Sequence, residues 1–370
     1  GNSFRDRKFD STIFGTRSVQ STIHHIRTRR AMMYAITGAN GFIASHMVTR
    51  LLDEGHGVVA IVRRAASSPA CKCLRLLSSQ YPGKLTIATV SELTDTDGLA
   101  AAFSGCDGVF HMAATHPTYG FEDTPEGRAA MVEAAVQGTI SALKACKAAG
   151  VQRVVVTSSL AAVECGNDEA TLTESTWSRP EVFDSEEKLT KTTWATHFTY
   201  VKSKTEQEQA SVKFATECGL DLRVIVPGNL CVGPIANGSI NGTMTRLRDI
   251  MSGTNTLKGA ADLGVVHVSD VVATHYAAMS SKEAAGRYIC TKDMVKLEDV
   301  LSTLRELYPT MPVAEADNMD YASGVPGKAR AIESRTEKEL GVQFHDLRST
   351  LKDAVDSMIA HNHLTPVSVA

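Results

Sequence analysis

From Tyr34 onward, short runs of apolar residues alternate with longer stretches whose apolar positions recur every three to four residues. The short runs predict strands at Tyr34–Thr37, Val58–Val62, Leu85–Thr89, Gly108–His111, Val154–Thr157 and Leu222–Val226. The longer stretches predict helices near 41–54, 72–80, 97–104, 128–149 and 200–218. These strands are apolar almost throughout instead of alternating. That is the pattern of a parallel sheet covered by helices on both faces, so the fold class is doubly wound α/β. After Pro227 the pattern changes. Residues 235–262 are rich in Gly, Asn and Thr and read as loop plus one helix, with later helices expected near 297–307, 330–339 and 346–361. The expected organisation is a nucleotide-binding domain over 32–234, a smaller substrate-binding lobe over 235–362 interleaved with it, and a tail at 363–370.

Residues 1–31 stand apart. They carry seven Lys/Arg and two acidic residues, a net +5 with His neutral, which leaves −8 on the remainder of a chain whose total is −3. Rich in Ser, Thr and Arg, the segment reads either as a disordered extension or as an organelle transit peptide. Cytoplasmic residence is the expectation, with mitochondrion or plastid as the alternative. The chain's 370 residues are 43% hydrophobic and 21% charged, ordinary for a globular protein. An acidic body disfavours a nucleic-acid partner, and the apolar runs have the length of strands, far below the roughly 18 residues that cross a bilayer. The eight cysteines are scattered and no secretory leader is recognisable, so reduced thiols are expected. Only Cys71 and Cys73 are close in sequence, and no further ligands at metal spacing accompany them, so no metal site is expected.

Chemistry enters at the end of the first strand. Thr37-Gly38-Ala39-Asn40-Gly41-Phe42-Ile43-Ala44 follows that strand and opens a helix. Gly38 permits a tight turn, Gly41 lets backbone N–H groups approach a pyrophosphate at the helix N-terminus, and Ala44 allows close helix–strand packing. Gly38, Asn40, Gly41, Phe42 and Ile43 are therefore candidate cofactor-binding residues on a Rossmann sheet. The second strand ends in Val62-Arg63-Arg64. An acid there would accept from the ribose 2′-hydroxyl of NAD(H), whereas a guanidinium suits a 2′-phosphate. NADP(H) is favoured over NAD(H), with Arg63 as the selecting residue and Lys72 and Arg75 as further positive charge.

The strand at 154–157 runs into Ser158-Ser159, and some forty residues later comes Tyr200-Val-Lys-Ser-Lys204. Tyr and Lys at i and i+4 share a helix face, and the ammonium is expected to lower the phenol pKa from its ordinary value near 10. Tyr200 is then a general acid for a carbonyl oxygen that gains charge, Ser159 a hydrogen-bond donor to the same oxygen, and Lys204 also a holder of the cofactor ribose.

In this order the motifs resemble the extended short-chain dehydrogenase/reductase superfamily (NAD-dependent epimerase/dehydratase-like), and within it the dihydroflavonol reductase and cinnamoyl-CoA reductase group. Further segments carry the likeness: Gly105-Cys-Asp-Gly-Val-Phe-His111-Met-Ala-Ala114, Pro227-Gly-Asn-Leu-Cys-Val-Gly-Pro234 and Val266-His-Val-Ser-Asp270-Val271. It spans residues 33 to 362 and implies an NADP-dependent reductase of an aldehyde or ketone, working on a small molecule. It implies Ser159 as the catalytic serine with Ser158 as fallback. It puts Pro227 and Gly228 against the nicotinamide and Ala113 beside the adenosine and diphosphate. It also makes His111, His267 and Asp270 scaffold. Homodimers are frequent in the superfamily. Two departures stand out. Ser91-Glu92-Leu93 replaces Ala-Asp-Leu, so Glu92, with Leu93, takes over the adenine contact. Glu164 replaces the Asn that meets substrate hydroxyls in flavonoid reductases, which argues against a flavonoid. The alternatives are a hydroxysteroid dehydrogenase/isomerase, a nucleotide-sugar epimerase, and a non-enzymatic cofactor-sensing protein. Arg63 speaks against the epimerase and the Tyr200/Lys204 pair against the sensor.

Overall fold

The structure, a computed structural model, describes residues 30–114, 122–183, 195–254, 262–315 and 330–365. The chain divides between Ala31 and Met32, and every element of the fold lies in the unit that begins at Met32. The basic segment, except for its last two residues, and the end of the tail lie outside the described residues.

Seven strands form the central sheet: β1 (Met33–Thr37), β2 (Gly57–Val62), β3 (Leu85–Thr89), β4 (Gly108–His111), β5 (Arg153–Thr157), β7 (Asp221–Pro227) and β10 (Gly286–Cys290). Their spatial order is β10-β7-β5-β4-β1-β2-β3, and every pairing is parallel. The order reverses between β1 and β4, and in such sheets ligands bind in the crevice outside the carboxyl ends of the strands at that point. The six strands expected from sequence are present within a residue at either end.

Helices cover the sheet because its strands are apolar toward both sides. On one side α1 (Phe42–Asp53) buries Phe42, Met47, Val48, Leu51 and Leu52. Burying a large apolar side chain of this kind contributes roughly 1.5–3 kcal/mol. The other cover includes α3 (Thr96–Phe103) and α4 (Pro125–Ala148), which pack Leu99, Phe103, Ala142, Leu143 and Cys146 against Val109, Val154 and Val156. Beside α4 lies α5 (Ala195–Cys218), the helix that carries Tyr200 and Lys204. α4 begins three residues before the expected start, because Thr124 accepts from Gly127 N–H as N-cap and Pro125 fits the first turn.

The sequence pattern misses β10 and α7 (Val268–Ser280). β10 reads Gly-Arg-Tyr-Ile-Cys, and an arginine at its second position disguises a central-sheet strand. Arg287 is nonetheless buried there, because the carboxylate of Glu208 meets it. The expected helix at 330–339 is instead a strand, β12 (Ala331–Ile332), followed by the short α9 (Thr336–Leu340). One oxygen of Glu174 accepts from Ile289 N–H, Arg335 N–H and the Ser334 hydroxyl, and this tertiary anchor holds the segment extended. β12 pairs with β6 (Thr171–Leu172), and a three-stranded sheet joins β8 (Leu230–Val232), β9 (Asp262–His267) and β11 (Met294–Lys296). With α2 (Lys72–Gln80), α6 (Gly242–Met251), α8 (Leu297–Leu307) and α10 (Leu347–Ala360), these complete the fold. Residues beyond 234 thus both build the smaller sheets and return to the central one.

Candidate active site

The cofactor end is built from a turn that leaves no room for a side chain at Gly38. Gly38 has φ +65°, and a Cβ there would lie 2.9 Å from Ala113 Cα, so the turn after β1 rests directly on the chain leaving β4. Gly41 is the N-cap of α1 and offers its first turn no side-chain acceptor. α3, α4, α6, α7 and α10 are capped by Asp95, Thr124, Asn241, His267 and Asp346, whereas α2, α8 and α9 share with α1 the lack of a side-chain cap. The N-terminal N–H groups of α1 are therefore left for an acceptor from outside, at the positive end of the helix dipole. Asn40 is tied down on both sides: its side-chain amide donates to Ala70 O at 3.4 Å, and its backbone carbonyl accepts from the Asn237 side-chain amide at 2.9 Å. Phe42 is buried under the turn and Ile43 half-buried. This cradle fits a dinucleotide pyrophosphate.

Arg63 and Arg64 lie exposed at the end of β2 and make no hydrogen bond or ion pair with any described residue. Lys72, also exposed, opens α2. Arg75, which the sequence offered as further charge for the same pocket, is otherwise engaged. Its guanidinium donates to Ala66 O at 2.5 Å and Ser68 O at 2.8 Å and so braces the loop after Arg63. Glu92 is exposed and Leu93 half-buried, with Leu93 Cβ 3.1 Å from where a Cβ on Gly138 of α4 would stand. On the far side of the crevice Pro227 and Gly228 are buried or nearly so. A Cβ on Gly228 would come within 2.2 Å of Gly264 O, so only glycine allows β7 to pass β9 this closely.

The end of β5 presents two serines with different partners. Ser158 Oγ donates to Glu208 at 2.5 Å; Glu208 is buried and also receives Arg287 Nε at 2.5 Å. Arg287 stacks over Trp177 at 3.7 Å and donates to the carbonyls of Glu174 and Thr176. Ser158 therefore belongs to a structural network. Ser159 caps the short turn Leu160–Ala162 and hydrogen-bonds the phenol of Tyr200. Of the two hydroxyls, Ser159 is the one joined to the tyrosine.

The expected lowering of the phenol pKa does not occur. Burial raises the Tyr200 pKa above its ordinary 10, with the Ser159 hydrogen bond pulling against it, and Lys204 is not among the causes. The ammonium is directed elsewhere: Lys204 Nζ donates to Gln207 Oε1 at 3.3 Å. Lys204 is itself 4% exposed, and burial pushes its pKa from 10.5 down to about 8 against the pull of Glu208. Tyr200 thus keeps its proton at neutral pH, as a proton donor must.

His111 bridges Thr37 Oγ1 at 3.0 Å and Thr139 Oγ1 at 3.2 Å, and burial followed by the charge of Lys204 pushes its pKa down to about 4. Glu164 is buried. It accepts from Asn229 at 3.1 Å, pairs with Arg330 at 3.5 Å, and burial raises its pKa. Its carboxylate is spent on holding the chain after Gly228 rather than left free for a ligand. His267, Asp270 and His345 offer ligand atoms within 4.8 Å of one another. However, Asp270 accepts His345 Nδ1 at 2.6 Å, and the two imidazoles stack at 4.3 Å and 24°. Nearly parallel rings do not converge on one ion in their planes.

A parallel sheet of this order, with a glycine turn at its switch point and a Ser–Tyr–Lys set at the end of β5, is the architecture of an extended short-chain dehydrogenase/reductase. The chain belongs to the NAD dependent epimerase/dehydratase family, which matches residues 34–290. Its relatives are reductases. It is 30% identical to tetraketide alpha-pyrone reductase 1 of Arabidopsis thaliana, across 90% of this chain and 97% of that one. To cinnamoyl-CoA reductase 1 of Oryza sativa subsp. japonica it is 32% identical, across 90% and 92%. Vestitone reductase from alfalfa superposes with a TM-score of 0.72 at 25% identity, covering 90% of this chain and all of that one. The protein is an oxidoreductase of the reductase type that works with a nicotinamide cofactor. Among the described residues no helix is long and apolar enough to cross a membrane.

Sequence reasoning missed Thr37, Thr139, Gln207 and Glu208, the residues that hold the catalytic candidates in place. Gln207 and Glu208 come three and four positions after Lys204, on the same helix face, and that spacing was the available signal. Thr37 and Thr139 gave none, since threonines in a strand and a helix are ordinary.

Proposed function

We propose that the protein is an NADPH-dependent reductase of aldehydes or ketones, with Tyr200 as proton donor. The observation that carries this reading is the Ser159–Tyr200 hydrogen bond at the end of β5, one helical turn from buried Lys204. A nicotinamide held here would supply the hydride. Tyr200 Oη gives its proton to the carbonyl oxygen as charge builds there, and Ser159 Oγ donates to the same oxygen. Lys204 holds the ribose and places its charge near the forming oxyanion. Gly38, Asn40, Gly41, Phe42 and Ile43 cradle the pyrophosphate, and Ala113, Glu92 and Leu93 line the adenosine side. Arg63, with Lys72 beside it, receives the 2′-phosphate. Pro227 and Gly228 back the nicotinamide. The spent carboxylate of Glu164 argues against a hydroxyl-rich flavonoid as substrate.

The test is NADPH oxidation against a panel of aliphatic and aromatic aldehydes, ketones and acyl-CoA thioesters. Turnover of a carbonyl with NADPH, and weaker turnover with NADH, is the expected result. Tight NADPH binding with no oxidation anywhere across the panel would count against the reductase reading.

A further inference from the structure

Lys204 is held from behind by a chain of buried hydrogen bonds that starts at the foot of the glycine turn. Thr37 Oγ1 accepts the N–H groups of Met112 and Ala113, each at 3.1 Å. Its lone pairs are thereby used, so its hydroxyl proton goes to His111 Nδ1 at 3.0 Å. His111, neutral because burial keeps it so, then carries its proton on Nε2 and donates to Thr139 Oγ1 at 3.2 Å. From the other side Lys204 Nζ donates to Gln207 Oε1 at 3.3 Å, which orients the amide so that Nε2 donates to Thr139 Oγ1 at 2.6 Å. Thr37, His111, Thr139, Lys204 and Gln207 are all buried.

The two arms converge: both donate into Thr139. A proton wire needs its bonds ordered head to tail, so this chain moves no proton. It is a clamp. We infer that Gln207 and Thr139 are positioning residues that set the place and charge of Lys204 and lock it to the turn that holds the pyrophosphate. The inference rests on the reading of Lys204 as the ribose-holding residue. Rigid coupling of the two contacts keeps the cofactor from pivoting about either one, which is how orientation is preserved at the reacting carbon.

The charge follows from the same geometry. Among the described residues, the titratable groups coupled to Lys204 are Glu208 on its own helix and His111 from β4, with Arg287 from β10 acting through Glu208; from α4 the Thr139 hydroxyl meets Gln207. Glu208 already divides its carboxylate between Ser158 and Arg287. Gln207 Oε1 is then the neutral acceptor that favours the ammonium over the amine. The burial that lowers the Lys204 pKa to about 8 is opposed by the charge of Glu208, and the hydrogen bond from Nζ to Gln207 is the geometric feature that adds a neutral acceptor for the charged form.

The experiment is the pH profile of NADPH binding, read by cofactor fluorescence from about pH 6 to about pH 9.5, for Gln207→Leu, Gln207→Glu and Thr139→Ser. In the parent protein affinity should decline as pH rises through about 8, where the ammonium is lost. Gln207→Leu should move that decline about one pH unit lower, leaving affinity within about twofold near pH 6 and about tenfold weaker near pH 8.5. Gln207→Glu should move it higher, and Thr139→Ser, which keeps the shared acceptor, should leave it in place. Coincident profiles for all variants overturn the proposal. A uniform loss at every pH in Gln207→Leu, with a fall in melting temperature, also overturns it, because that is lost packing. If Gln207→Leu does not fold, an unshifted profile in Gln207→Glu is decisive against it. Because binding is the readout, a protein that binds NADPH but reduces nothing would sink the reductase reading and still decide this one.

Discussion

The two ends of the crevice use their polar groups in opposite ways. At the cofactor end, donors are left over: the first turn of α1 has no side-chain cap, and Arg63 and Arg64 meet no described partner. At the back of the site almost every polar group is consumed internally. Ser158 and Arg287 Nε both meet the carboxylate of Glu208, although Arg287 Nη2 is buried without a partner among the described residues, and Glu164 gathers Asn229 and Arg330. A buried polar group costs free energy unless it is bonded, so a group with no internal partner at a concave, half-open surface marks where a ligand's atoms go. A fully engaged group marks scaffold. Ser158 and Ser159, adjacent in sequence, differ in their partners instead: Ser158 is bound into the Glu208–Arg287 network, while Ser159 meets Ala161 N–H and the phenol of Tyr200.

The contrast can be broken by mutation. The largest effect belongs to the scaffold end. Glu208→Ala would leave Arg287 buried without its carboxylate, and thermal or urea unfolding should show a loss on the order of 3–5 kcal/mol. A variant of parental stability would mean that Arg287 finds other partners and that the network is less rigid than its geometry implies. At the ligand end the expectation is reversed. Arg63→Ala should leave the melting temperature of the free protein unchanged and weaken NADPH binding roughly 10- to 100-fold, the worth of a charged hydrogen-bonded contact, while NADH binding changes little. Equal weakening of both cofactors would reduce Arg63 to a general surface charge. Arg75→Ala tests the boundary between the two regimes. Since Arg75 supports the loop through two carbonyls, its loss should weaken NADPH only about two- to fivefold, by loosening the segment after Arg63. A loss as large as that of Arg63→Ala would make it a direct phosphate ligand.

Much of this was legible in the sequence because parallel strands covered on both faces announce themselves as apolar runs, and because a glycine turn between strand and helix has few substitutes. The glycine loop, Arg63 and the Ser159/Tyr200/Lys204 set could be picked out by residue type and spacing. What sequence missed depends on long-range partners. β10 was hidden by Arg287, whose burial is made acceptable by Glu208, distant in sequence and on another element. The helix expected at 330–339 gave way to an extended segment because the carboxylate of Glu174 gathers three donors there. The phenol pKa went the other way because spacing places Tyr200 and Lys204 on one helix face but says nothing of burial, nor of Gln207 taking the ammonium's hydrogen bond.

The most direct test of Tyr200 as proton donor is the single-turnover rate of NADPH oxidation by Tyr200→Phe against the parent protein, with a carbonyl substrate found in the panel and cofactor binding measured in parallel. The proposed role predicts a rate lower by roughly 10²- to 10⁴-fold, with the NADPH dissociation constant within about twofold of the parent. A rate close to that of the parent would contradict the role of Tyr200, and with it the catalytic reading of the Ser159–Tyr200 pair.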